Sequence, residues 1–239
     1  MSAKRGNARR VVQEQLARER RRSRTRWTTA IALAVLVVAG LIGWGIAAGQ
    51  QKDSTAALTT PTAAVDDGTG FAVGTGGVTI DVYEDFMCPV CGEFEQTSGE
   101  TLAQLTAAGR ATVVYHPIAI LDRYSSTEYS TRAAAASAAA AQGGRFLDFH
   151  KALFANQPPE NSAGLSDDRL IEIGRSVGLT DAAFTDAVKD GTYRSWATTV
   201  TETASGRGVT GTPTVRVAGQ PLKNPTPEAL TAAVEAATA

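Results

Sequence analysis

Val78-Thr79-Ile80-Asp81-Val82-Tyr83-Glu84-Asp85-Phe86-Met87-Cys88-Pro89-Val90-Cys91 is the stretch on which the fold turns. Val78, Ile80 and Val82 alternate with other residues, the period of two that turns one face of a strand toward a core. A helix opens at Pro89, because a first-turn proline has no N–H to leave unpaired. It runs to about Ala108, with Phe94, Leu102 and Leu105 as apolar contacts and Gly109 at its end. The chain has two cysteines, and both fall where this helix begins. That spacing brings two sulfurs within bonding reach, with the first at the exposed terminus.

Outward from this unit, Ala111–His116 reads as a second strand stopped by Pro117, so strand, helix and strand form a βαβ unit with a parallel return. Helices follow at 127–142, which holds the Ala-rich run Ala133–Ala141, and at 145–156, with Phe146, Phe149, Leu153 and Phe154. Ser166 caps the next helix ahead of Asp167 and Asp168, Thr180-Asp181 starts another, and Thr192–Ser205 forms a further one. Strand pattern returns at Pro213–Ala218, with a short return strand at Pro221–Lys223, before a last helix begins at Thr226-Pro227-Glu228. The order βαβ, helices, ββα predicts an α/β domain over 71–239 with a helical insertion at about 123–207.

The N-terminal third is of another kind. Residues 1–26 carry ten basic side chains against Glu14 and Glu19, a net +8, which leaves about −9 for the rest of a chain whose total is −1. Nothing from Trp27 to Gln51 is charged, and 30–48 is almost wholly apolar. About 20 such residues span the ~30 Å hydrocarbon core. The expectation is a basic cytoplasmic tail (1–26), one transmembrane helix (27–49) and a flexible tether (50–70). The positive-inside bias then keeps the N-terminus in the cytoplasm and sends the globular part outside. Cleavage after Ala48 is an alternative. The basic tail already has a topological role, so nucleic-acid binding is not expected.

Outside the membrane disulfides are permitted, yet the outer domain has no cysteine to spare for a structural one. The pair at 88 and 91 is therefore read as a redox dithiol. Cys88 at a helix N-terminus is the candidate nucleophile, because unpaired N–H groups and the dipole favour its thiolate. Cys91, one turn in, is the candidate resolving thiol. Gly208-Val209-Thr210-Gly211-Thr212-Pro213 is the candidate docking segment; a cis Thr212–Pro213 bond would aim the Thr212 backbone at an adjacent site, but the residues alone leave the isomer open.

The Cys-Pro-Val-Cys motif after a strand, a helical insertion, and Gly-Thr-Pro-Thr before the closing hairpin together resemble the DsbA-like branch of the thioredoxin superfamily, in its membrane-anchored actinobacterial form. The resemblance covers about 71–239. It implies a thioredoxin fold, nucleophilic Cys88, resolving Cys91, cis Pro213 facing the sulfurs, support from Pro89, Val90 and Thr212, and oxidation of cysteines in exported proteins. It also implies a membrane quinone-linked partner for reoxidation and no cofactor.

Three departures bear on this. Many relatives keep a buried acid six residues before the nucleophile, where this chain has Val82; Asp81 should face the other side of the sheet, and Glu84 and Asp85 sit nearer the loop, with Glu84 the candidate for proton handling at Cys91. Val90 replaces the histidine of the best-known oxidases, and Thr212 precedes the proline as in some isomerase-type relatives. A reductase or isomerase using the same dithiol is therefore the second reading. A Cu(I)-binding module is a third, with Met87 as the nearby thioether. His116 and His150 are read as structural, Trp196 and Tyr193 as packing residues, and Glu93 and Glu95 as a solvated face.

Overall fold

The computed structural model describes residues 58–238. The expected tail and span at 1–49 lie outside them; among the described residues no helix is long and apolar enough to cross a membrane. At the centre of a five-stranded sheet lies β2 (Val78–Glu84), joined through α1 (Pro89–Ala107) to its parallel neighbour β3 (Ala111–Pro117). On its other side β2 pairs antiparallel with β4 (Thr214–Val217), which pairs with the short edge strand β5 (Gln220–Pro221). The far edge is β1 (Phe71–Val73), antiparallel to β3.

The βαβ unit forms for the expected reasons. Ile80 and Val82 have no exposed surface, and Thr79 between the inward positions is exposed. Helix α1 starts with Pro89 after Cys88 and ends in paired bonds, Gly109 N–H to Thr106 O (3.0 Å) and Arg110 N–H to Leu105 O (2.9 Å). Gly109 sits at φ +65°, the left-handed conformation that such an end demands.

Between β3 and β4 come α2 (Tyr129–Gln142), α3 (Phe146–Ala155), α4 (Asp167–Ser176), α5 (Ala182–Asp190) and α6 (Arg194–Gly206). The alanine-rich α2 is buried on every side and touches the other four helices of the insertion. Small side chains let those neighbours approach closely, as its composition suggested. Ser166 and Asp181 cap α4 and α5 through the N–H groups of Arg169 and Phe184. The closing α7 (Pro227–Thr238) packs on α1 and the sheet.

Two local expectations fail. Strand β1 was not foreseen, because three residues between Gly70 and Gly74 carry no periodicity; Phe71 is fixed instead by its rings' neighbours, Phe146 at 4.7 Å and Trp196 at 5.2 Å. The described end of the expected tether is also held to the domain. Val65 and Gly70 bridge each other, Trp196 Nε1 donates to Gly68 O (2.6 Å), and Arg207 pairs with Asp66. These partners lie far along the chain, so local composition could not reveal them. Trp196 is thus a packing residue with its indole N–H satisfied.

Candidate active site

Cys88 is the N-cap of α1 and reaches the surface with 7% of its area, less open than expected, while Cys91 has none. Both thiols are free. The Thr212–Pro213 peptide is cis, and the Cys88 sulfur lies 3.5 Å from Thr212 O. Pro89 and Val90 flank the sulfur on the outside, and Val90 is one of the few exposed large apolar residues.

The two thiols are polarised in opposite senses. Hydrogen bonding from Cys91 outweighs burial and, with the Thr212 contact and the N–H groups of Val90 and Cys91, holds the Cys88 pKa down at about 5. Burial first, then the partnership with Cys88 and the charge of Glu84, pushes Cys91 well above the ordinary thiol range. Only a thiolate attacks a disulfide. This arrangement can therefore hold a nucleophile at the surface and a protonated thiol beneath it.

Under the dithiol lies a group that departs from expectation. Glu84 and His150 are both buried, with Nε2 2.7 Å from Oε2. Glu95, expected on a solvated face, turns its carboxyl inward to within 3.9 Å of His150 Nδ1, whereas Glu93 is exposed as expected. Burial raises the pKa of Glu84 to about 8, and burial together with Glu84's charge raises Glu95 to about 8. Burial lowers that of His150. The helix period explains Glu95: it lies four residues beyond Cys91, on the same face of α1. His150, expected to be structural, enters through α3. By donor type the three could hold a cation, their ligand atoms lying within 4.8 Å of one another, although Glu84 and His150 already use two of these on each other.

A thioredoxin family model matches residues 73–236. A disulfide bond oxidoreductase (DsbG) from Mycobacterium tuberculosis, solved in its reduced form, is 37% identical, with a TM-score of 0.60 over 66% of this chain and 77% of that one. DsbA from the same organism is 33% identical, with a TM-score of 0.63 over 70% and 91% of the two chains. The chain belongs to the DsbA-like thioredoxin family. The serine/threonine-protein kinase PknE of M. tuberculosis is 33% identical over 162 residues, 63% of this chain; the chain spans about a quarter (28%) of that curated relative's length.

For a DsbA-like domain, Val82 at the usual acid position is less of a loss than it first looks. Successive side chains on a strand alternate between faces. Glu84, two residues on, therefore shares the face of Val82 and lies one pleat nearer the dithiol. Asp81 does face away, where it meets His116 at 3.3 Å. Two supporting residues were missed. Asp85 has no exposed surface and accepts from Met87 N (2.9 Å), Leu121 N (2.9 Å) and Ser130 Oγ (2.7 Å), fixing the loop before Cys88. Gln157 Nε2 donates to Phe86 O and Cys88 O at 3.2 and 2.9 Å. A Cβ on Gly92 would come within 2.4 Å of Gln157 Oε1, so a larger residue there would have to push the Gln157 side chain aside. Asp85 could have been suspected from its place in the motif; Gln157 carried no local signal.

Proposed function

We propose that this chain is an extracytoplasmic oxidase that passes its Cys88–Cys91 disulfide to cysteines of exported proteins. A substrate thiolate attacks Cys88, Cys91 leaves and takes up a proton, and a mixed disulfide forms. A second substrate thiolate then displaces Cys88 as thiolate and carries away the new disulfide. Two electrons pass to the enzyme, and a membrane quinone-linked partner removes them. The basic tail and the uncharged stretch from Trp27 to Gln51 support a single span with the catalytic domain outside.

The observation that carries the reading is the Cys88 thiol held at about 5. A stabilised thiolate makes the reduced form the favoured one, which is what an oxidant needs. Val90 and Thr212 would serve the substrate, one with exposed apolar surface and the other with backbone beside the sulfur.

The test is the reduction potential of the Cys88–Cys91 pair in the full chain, with mixed disulfides trapped in a Cys91→Ser variant. A potential well above thioredoxin's ~−270 mV is expected. A value at or below it would overturn the oxidase in favour of a reductase. That second reading draws on Val90, which adds no cation beside the thiolate.

A further inference from the structure

Cys91 has no exposed surface, yet the chemistry proposed above needs a proton to reach and leave its sulfur in every cycle. Glu84, the carboxyl whose charge bears on that sulfur together with that of Cys88, is itself buried at 3% exposure. Any proton must go further. His150 Nε2 is bonded to one Glu84 oxygen at 2.7 Å. The other Glu84 oxygen, Oε1 of Glu95 and Nδ1 of His150 are buried, with no hydrogen-bond partner unless a proton lies among them. Two carboxyl groups this close in a dry site do not both ionise, so at least one of them keeps its proton.

Glu95 is also the member of the group that meets the outside. With Gly92, Gln96, Lys151 and Phe154 it lines a cavity of about 240 Å³ between α1 and α3. That cavity is roomy enough for several waters, and neither Thr212 nor Pro213 lines it.

We propose that Glu84, His150 and Glu95 form a proton path from Cys91 to this cavity. This rests on the dithiol chemistry above. When a substrate thiolate opens the disulfide, the Cys91 thiolate takes the proton of Glu84. Glu84 is refilled from Glu95, and Glu95 from water in the cavity. Reoxidation runs the path backward. His150 is a positioning residue: it holds one Glu84 oxygen so that the other is free to carry the proton. The charged and titratable groups around the path are Cys88, Cys91 and Glu95 on α1, His150 and Lys151 on α3, and Tyr115 on β3.

The experiment is single-turnover reduction of the oxidised full chain by a dithiol peptide, across pH, in wild type, Glu95→Gln, Glu95→Ala and the exposed control Glu93→Gln. Glu95→Gln should slow the step by about tenfold or more and flatten its pH profile. Formate, which fits the opened cavity, should restore speed to Glu95→Ala and leave Glu93→Gln and wild type unchanged. A purely structural role for Glu95 predicts no formate rescue. Unchanged rates and pH profile in Glu95→Gln would overturn the path. So would stoichiometric Zn²⁺ retention by the wild-type chain that is lost in Glu84→Gln, which would make the group a cation site. Mixed-disulfide trapping in Cys91→Ser does not depend on Glu95, so it separates failure of the path from failure of the dithiol reading.

Discussion

The central sheet carries a histidine–carboxylate pair on each face, and the two pairs do different things. On one face His116 stacks on Tyr83 at 4.2 Å, meets Thr69 O at 3.0 Å through Nδ1 and meets Asp81 at 3.3 Å through Nε2. Both its nitrogens are occupied, and Asp81 keeps some contact with water. On the other face His150 bonds Glu84 in a fully buried setting, beside a second carboxyl, with three polar atoms left over. A pair whose bonds are all made holds structure together. One with bonding capacity to spare, beside a sulfur that must gain and lose a proton, is equipped for chemistry.

The comparison breaks first on rate. Glu84→Gln keeps the shape and removes the proton store, so dithiol turnover should fall by about 100-fold, within the range for a lost general acid–base group. Asp81→Asn should leave turnover nearly unchanged. Equal losses in a peptide-oxidation assay would erase the distinction between the faces.

Stability should separate them the other way. His116→Ala leaves Thr69 O and Asp81 without their partner and should cost about 1–3 kcal/mol in denaturant unfolding, with the Cys88 alkylation rate unaltered.

A smaller, sharper difference lies in pH dependence. The folded pKa values of Glu84 and Glu95 are raised from the ordinary carboxylate 4.5 to about 8, so the native state holds protons that the unfolded chain releases. The oxidised protein, with no thiols to titrate, should therefore lose stability as pH climbs from about 5 to 8. Glu84→Gln should flatten that decline and Asp81→Asn should not. A decline that persisted unchanged in Glu84→Gln would place its origin elsewhere.

Much of this was legible in the sequence. The βαβ unit, the helical insertion and the closing hairpin follow from period-two runs, proline placement and capping residues, all local signals. Cys88, Cys91 and the Thr212-Pro213 segment follow from the motifs. The sequence offered Glu84 beside Asp85 near the loop, and the strand's alternation explains why Glu84 takes the face beneath the dithiol. What could not be read was set by distant partners. Glu95 sits among polar residues and looks solvated until α3 covers it. His150 sits among phenylalanines and looks like packing until β2 brings Glu84 beneath it. Residues 61–70 look like tether until Trp196, Arg207 and His116 hold them.

The dithiol can act as proposed only if Cys88 is ionised well below neutrality while Cys91 is not. At pH 7, a thiol whose pKa falls from 9.0 to about 5 favours the reduced fold. That contribution is complete only above the unfolded value and fades as pH drops through the folded one. The direct measurement is the rate of Cys88 alkylation in the reduced full chain from acid to alkaline pH. One thiol reacting with a midpoint near 5, and the second staying silent until strongly alkaline pH, is the predicted result. A single midpoint in the ordinary thiol range near 9 would contradict it.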